Sequence, residues 1–95
     1  MKVCVLYRPN SDHARSIEEF LHEFSHLYPD RKAELVNLDT RDGAATASLY
    51  DVVRYPAILA ITDDGQLIRS WEGEQLPLIS EVANYAQPEL HAAYL

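Results

Sequence analysis

The residues best suited to chemistry follow the first apolar segment of the chain. Arg8, Ser11, Asp12 and His13 lie close together, directly after the apolar residues 3–7. An arginine can bind an anion, a serine hydroxyl can donate or accept a hydrogen bond, and a histidine can exchange a proton near neutral pH. The segment therefore predicts a site that holds an anion or the hydroxyl group of a substrate. Ser11 and His13, together with Tyr7 at the end of the apolar segment, are the candidates for catalysis.

The same residues also have a structural interpretation, which is the favoured one. A helix is predicted to start here, and Asn10 or Ser11 would accept a hydrogen bond from one of its unpaired backbone N–H groups. Asp12 would suit the positive end of that helix, and its charge would discourage a second anion. No serine–histidine–acid triad is apparent, because Ser11 and His13 are two residues apart at a turn. Their catalytic role is therefore a candidate role only.

His22 and His26 form a second candidate site. They are four residues apart and share one face of the predicted helix. With Glu18 or Glu19 they could bind a metal such as zinc. They lie outside the apolar stripe of the helix, however, and two exposed histidines rarely hold a metal by themselves. We therefore expect surface histidines and no metal.

Cys4 is the single cysteine of the chain. It excludes a disulfide within the chain and a zinc site made of cysteines alone. Because Cys4 lies in a predicted buried strand, it should pack as a small apolar residue and have no redox role. A protein without disulfides fits the reducing cytoplasm, which is the expected location.

The charge of the chain limits its partners. Fifteen acidic and eight basic residues give a net charge of −7, and the basic residues do not cluster in the sequence. Such a surface repels phosphate backbones and anionic lipids, so we expect neither a nucleic-acid partner nor a membrane. The apolar run before Arg8 is too short for a secretion signal, and no run is long enough to span a membrane. We expect one domain and no cofactor.

Hydrophobic patterns predict seven elements in the order β-α-β-α-β-β-α. Continuous apolar runs indicate central strands, and the three-four spacing over residues 17–28 indicates an amphipathic helix. The first strand–helix–strand unit requires parallel strands, and Asp63-Asp64-Gly65 predicts a hairpin before an edge strand. Pro88 should separate a domain of residues 1–87 from a tail, 88–95. The predicted strands are 3–7, 33–38, 57–61 and 67–71. The first predicted helix ends at Pro29, and the second spans 44–53 with Leu49 and Val52 inward. The third starts at Pro77, and its inward residues are Leu78, Ile79, Val82 and Tyr85.

The second half of the chain contains a characteristic series of residues: Tyr50-Asp51-Val52, Tyr55-Pro56, Gly65 in the hairpin and Gly73 after the last strand. Asp39 follows the second strand. This order and spacing resemble those of thioredoxin over residues 2–86, and the short N-terminus is similar to that of glutaredoxin-sized members. The resemblance implies an α/β, thioredoxin-like fold with a four-stranded mixed sheet and helices on both faces.

The resemblance also implies what the chain has lost. In that family a CxxC motif lies where the first strand meets the first long helix, and Ser11 and Ala14 occupy its two cysteine positions here. Thiol–disulfide exchange needs a thiolate to attack and a second thiol to resolve the mixed disulfide, so this activity is not expected. The resemblance further implies a cis Tyr55–Pro56 bond, beside which the family binds extended peptides.

These observations lead to the hypothesis of a non-redox thioredoxin-like module that binds a protein or peptide. The expected binding residues are Arg8, Ser11, Asp12, His13, Tyr55 and Pro56, in a groove that also includes Tyr7. One alternative is an enzyme with a degenerate site: a residual thiol–disulfide oxidoreductase that acts with other cysteines, or a glutathione-related enzyme in which a hydroxyl activates glutathione. Another is a structural subunit that pairs through strand 67–71 or the tail, so a monomer or a weak homodimer is expected.

The aromatic residues allow two further interpretations. Trp71, Tyr55 and Tyr7 could form an exposed patch that anchors a partner. Alternatively, the edge strand that carries Trp71 is covered by the last helix or the tail, and the sequence favours neither interpretation.

Overall fold

Two strands of the domain are buried on both faces, which explains their unbroken apolar sequences. The structure, a computed structural model, describes residues 1–86; residue 87 and the predicted tail 88–95 lie outside the described residues. The elements are β1 (Lys2–Tyr7), α1 (Ala14–Leu27), β2 (Ala33–Asn37), α2 (Arg41–Leu49), β3 (Ala57–Ile61), β4 (Leu67–Glu72) and α3 (Ile79–Tyr85).

The sheet has the strand order β2-β1-β3-β4, with β1 parallel to β2 and antiparallel to β3. β4 pairs antiparallel with β3 at the edge. This arrangement confirms the predicted α/β class, the predicted element order and the mixed sheet. No helix within residues 1–86 is long and apolar enough to cross a membrane.

Successive residues of β1 face opposite sides of the sheet, as the pleat of a strand requires. One side, with Val3, Val5 and Tyr7, packs against α1 and α3. The other side, with Cys4 and Leu6, faces α2 and belongs to the core layer between the sheet and that helix. The domain therefore has two core layers, one on each face of the sheet, and β1 and β3 contribute to both.

Helix α2 starts earlier than predicted because a threonine caps it. The Thr40 hydroxyl accepts a hydrogen bond from Gly43 N at 3.0 Å, which fixes the start at Arg41. Gly43 and Ala47, four residues apart, are the buried residues of this helix. The inward placement of Leu49 is wrong: it is 72% exposed at the end of α2, whereas Val52 beyond the helix is buried as expected.

Helix α3 starts at Ile79, two residues after the predicted position of Pro77. Leu78 precedes the helix in an extended conformation and is 70% exposed, so its predicted inward placement is wrong. Val82 and Ala83 carry the packing of this helix against α1 and β1. Because α3 has only two turns, its buried face is narrow, and Leu78, which precedes the first turn, remains in solvent.

Candidate functional site

Arg8 joins three loops at one end of the sheet. It follows β1, and its Nη1 lies 3.3 Å from Oδ1 of Asp39 in the loop after β2. Its Cζ also lies 5.6 Å from the ring centroid of Tyr55, in the loop before β3. The pair with Asp39 is exposed, so it contributes at most about 1 kcal/mol to stability. The ion pair mainly holds the Arg8 guanidinium beside the ring of Tyr55.

The segment after Arg8 forms turns where the sequence predicted a helix cap. Ser11 N bonds to Arg8 O at 3.2 Å, and Ala14 N bonds to Ser11 O at 3.2 Å. The Ser11 hydroxyl donates to Arg8 O at 2.6 Å, and α1 begins only at Ala14 without a side-chain cap. The predicted cap by Asn10 or Ser11 is therefore wrong. Because the Ser11 hydroxyl donates to the carbonyl of Arg8, its oxygen does not accept a hydrogen bond from the first N–H groups of α1.

His13 is engaged with the backbone of the same segment. Its Nε2 accepts a hydrogen bond from Arg8 N at 3.1 Å. In the neutral ring the proton must then reside on Nδ1. Ser11 and His13 both bond to Arg8 and not to each other, and Asp12 is exposed beside them. The structure thus gathers these three residues around Arg8, and a catalytic role for Ser11 or His13 stays a prediction.

Tyr55 and Pro56 directly precede β3 at the same end of the sheet, and Tyr55 contacts Arg8. The bond between them is cis. Pro56 is buried, and its carbonyl accepts a hydrogen bond from Gly73 N at 2.9 Å. The Tyr55 hydroxyl donates to Val52 O at 3.1 Å, which orients the ring. No hydrogen bond within residues 1–86 uses the backbone N–H or carbonyl of Tyr55.

A depression of about 590 Å³ lies beside Tyr55. Its lining residues are Arg54, Tyr55, Gly73, Glu74 and Gln75. Gly73 has φ +104°, and a Cβ there would lie 3.2 Å from Nη2 of Arg54. Val53, 78% exposed, continues the surface, and its N–H donates to Oε1 of Glu72 at 3.4 Å. Arg54 and Glu72 are not predicted from the sequence, although Arg54 directly precedes the Tyr55-Pro56 pair.

The other aromatic candidates, Tyr7 and Trp71, pack with the core. Tyr7 is only 8% exposed and belongs to the core layer beneath α1. Trp71 packs edge-on against Tyr85 of α3, with 5.5 Å between ring centroids, and Arg69 lies over its ring at 4.9 Å. The interpretation of an edge strand covered by the last helix therefore fits the described residues better than a shared aromatic patch.

Cys4 has the environment of an unreactive thiol. Its side chain is buried, and burial raises the pKa of the thiol, with the negative charge of Glu34 acting in the same direction. The Sγ–H points to Oε2 of Glu34, 3.9 Å away. Because only the thiolate is a good nucleophile, this side chain should react slowly.

We therefore expect slow alkylation of native Cys4. At pH 8 iodoacetamide should modify the native protein much more slowly than the urea-unfolded protein, as mass spectrometry can measure. Native labelling at the rate of the unfolded chain would contradict the assigned burial of the thiol.

The histidine pair of α1 is exposed, as the sequence predicted. His22 and His26 line a shallow surface depression with Glu18, Glu19 and Glu23. Within residues 1–86, however, no group of three or more histidine, cysteine or acidic side chains has an arrangement that could hold a metal ion.

Comparisons with known proteins show similarity in fold and none in sequence family. No protein-family model matches the chain, and no curated protein matches it in sequence. Mitochondrial thioredoxin 3 of Saccharomyces cerevisiae, in its oxidized form, superposes with a TM-score of 0.64 at 19% identity, over 88% of this chain and 74% of its own. Thioredoxin O2 of Arabidopsis thaliana, also oxidized, gives 0.64 at 17% identity, over 87% and 69%. The expected fold is thereby confirmed: this chain has the thioredoxin-like fold.

Proposed function

We propose that the chain is a non-redox binding module that holds an extended protein or peptide segment beside Tyr55 and Pro56. The observation that carries the proposal is the open backbone of Tyr55. Its N–H and carbonyl have no partner within residues 1–86, while the adjacent Pro56 carbonyl is bonded to Gly73. A backbone donor and acceptor on one residue can pair with an extended segment as a neighbouring strand would.

The surroundings of Tyr55 supply side-chain contacts for such a segment. Val53 offers exposed apolar surface, Arg8 lies over the ring of Tyr55, and Arg54 lines the depression beside it. Ser11 bonds to the carbonyl of Arg8, which contacts Tyr55, and we assign Ser11 and its neighbour Asp12 to the other side of the groove. Main-chain pairing would give affinity, and these side chains would give the selectivity.

The absence of a thiol pair favours binding over exchange chemistry. The chain has one cysteine, which is buried in β1, and serine and alanine stand at positions 11 and 14. A serine hydroxyl cannot form or break an S–S bond by exchange. No contact within residues 1–86 favours the glutathione-related alternative, so we propose binding as the one function.

A peptide-display experiment tests this proposal directly. Peptides selected on the immobilised full-length protein should shift the amide resonance of Tyr55 in nitrogen–proton NMR spectra. Hydrogen exchange at that amide should slow by about tenfold or more at saturation, because the N–H would gain a backbone partner. Binding that leaves the Tyr55 amide unperturbed would overturn the assignment.

Two matched serine substitutions separate the groove from the rest of the surface. Ser11→Arg places a long side chain at the proposed side of the groove and removes the hydrogen bond to Arg8 O, at a cost of about 1 kcal/mol in stability. We expect it to weaken the selected peptides by about tenfold, or about 1.4 kcal/mol. Ser48→Arg, at an exposed position of α2, should leave the affinity unchanged. Equal effects of the two substitutions would show that the peptides bind elsewhere.

A further inference from the structure

A second depression lies at the opposite end of the sheet from Tyr55. It is bounded by the last turns of α1, the loop between α1 and β2, and the first residues of β1 and β2. Its volume is about 770 Å³, which falls in the range of roughly 300–1,000 Å³ typical of small-molecule sites. The length of β1, about 20 Å at 3.3 Å per residue, separates it from the proposed peptide groove. Its lining residues are Lys2, Val3, Leu21, Phe24, Ser25, Pro29, Arg31, Lys32, Ala33 and Glu34.

The wall of this groove is apolar. Val3 and Phe24 are buried core residues, and Leu21 and Ala33 are partly buried residues that pack against the same core layer. Because Leu21 and Ala33 are partly exposed, an apolar chain lying on these two side chains would remove hydrocarbon surface from water on both sides, which is favourable in proportion to the area covered. The wall alone does not select a ligand, so the choice depends on the charges at the rim.

The rim of the groove is cationic although the protein is strongly acidic. Four of the eight basic residues pair with a side-chain carboxylate within 4.0 Å among residues 1–86. Arg31 and Lys32 are two of the four that do not. Lys2, the third cation of the rim, lies 3.9 Å from Glu34. Three positive charges and one negative charge leave the rim with a net charge of +2.

Arg31 is held in place by groups that do not neutralise it. Its Nη1 donates to Ala83 O at 3.1 Å, and its Cζ lies 4.9 Å from the ring centroid of Tyr28. Its Nε–H is buried and has no acceptor among residues 1–86. A guanidinium carries five N–H donors, so this side chain retains hydrogen-bonding capacity for an anion.

We propose that this groove binds a free amphipathic carboxylate, with the hydrocarbon chain on the partly exposed side chains of Leu21 and Ala33. The carboxylate lies at Arg31 and Lys32, where a charge-assisted hydrogen bond to a guanidinium is favourable. The net charge of −7 does not prevent this binding at physiological salt. The Debye length is then about 8 Å, so distant carboxylates are screened while the rim cations act at contact distance.

Decanoate, at concentrations below micelle formation, is the test ligand. Isothermal titration calorimetry with the full-length protein should give a Kd below about 1 mM. Decyltrimethylammonium, which has the same chain and a positive head, should bind at least about tenfold more weakly, because the rim repels it. The amides of Leu21 and Ala33 should shift in NMR spectra, and that of Tyr55 should not.

Three substitutions distinguish the groove from the surface as a whole. Lys32→Glu should weaken decanoate by about fivefold to tenfold, whereas Arg41→Glu, an equal charge change at the other end of the domain, should alter it by less than about twofold. Ser25→Trp, which fills the groove without changing the charge, should abolish binding. Equal binding of the two amphiphiles, equal effects of the two charge reversals, retained binding by Ser25→Trp, or no binding of decanoate would each overturn the proposal.

Discussion

Replacing Gly43 by alanine should lower the free energy of unfolding by about 3 kcal/mol or more, although alanine is the better helix former. Gly43 lies in the first turn of α2, where the helix approaches the end of β2 very closely. A Cβ there would lie 1.9 Å from Asn37 O and 2.7 Å from Asn37 C. Both atoms belong to the backbone, so the conflict can be relieved only if α2 moves away from the sheet. Urea unfolding of the two proteins measures the difference.

Two further substitutions isolate the cause of that loss. Gly65→Ala tests conformation alone: Gly65 has φ +91°, but the nearest atom to an added Cβ is Tyr50 Oη at 3.9 Å. It should cost about 1–2 kcal/mol, the usual penalty for a side chain in left-handed backbone. Ala45→Gly, at an exposed position of α2, should cost about 1 kcal/mol through helix propensity. If Gly43→Ala instead stabilised the domain by that amount, the close approach of α2 to β2 would be wrong.

The sequence predicts the central part of this fold well because the strongest patterns and the tightest packing coincide. The apolar runs of β1 and β3 require burial on both faces, and the stripe from Ile17 to Phe24 requires one buried helix face. These patterns depend only on which side chains must leave water. They indicate the strand–helix–strand unit and the hairpin without knowledge of any contact.

The predictions are less accurate where several weak local preferences compete. Leu49 is apolar yet exposed, because the small residues Gly43 and Ala47 define the buried face of α2. Ser11 is a good capping residue, but its hydroxyl bonds backward to Arg8 O. A sequence pattern shows that a serine can accept or donate a bond in a turn. It does not show which of two nearby backbone groups will be the partner.

The sequence could propose a candidate site but could not give its geometry. The resemblance to thioredoxin identified Ser11, Ala14, Tyr55 and Pro56 as its positions. The role of Arg8 as the link between Asp39 and Tyr55 depends on three loops that are far apart in the chain. The open backbone of Tyr55 likewise becomes visible only when every neighbouring hydrogen bond is known.

Replacing both Ser11 and Ala14 by cysteine should convert the domain into one with a reducible disulfide. The bond from Ala14 N to Ser11 O closes a four-residue turn, whose ends are less than about 7 Å apart. Disulfides need Cα atoms roughly 4.4–6.8 Å apart, so the two thiols should pair without unfolding the domain. Position 11 is half-buried and position 14 is buried, which would give an accessible attacking thiol and a protected resolving thiol. Mass spectrometry should show the loss of two hydrogen masses on oxidation, and the variant should catalyse the reduction of insulin by dithiothreitol.

Controls with the same number of thiols decide whether the spacing is responsible. Ser11→Cys alone should form stable mixed disulfides and should not turn over, because no second thiol resolves them. Ser11→Cys with Ser16→Cys carries two thiols, but Ser16 is exposed on α1 and no turn brings it to Ser11, so this variant should form no intramolecular disulfide under the same conditions. The native thiol of Cys4, buried in β1, should stay unmodified throughout. If the double variant at positions 11 and 14 unfolds, or if its thiols do not pair, these positions do not correspond to the CxxC cysteines of thioredoxin. If it pairs and turns over, the two substituted positions correspond to the CxxC cysteines of thioredoxin, and a second thiol at this turn is what exchange chemistry requires here.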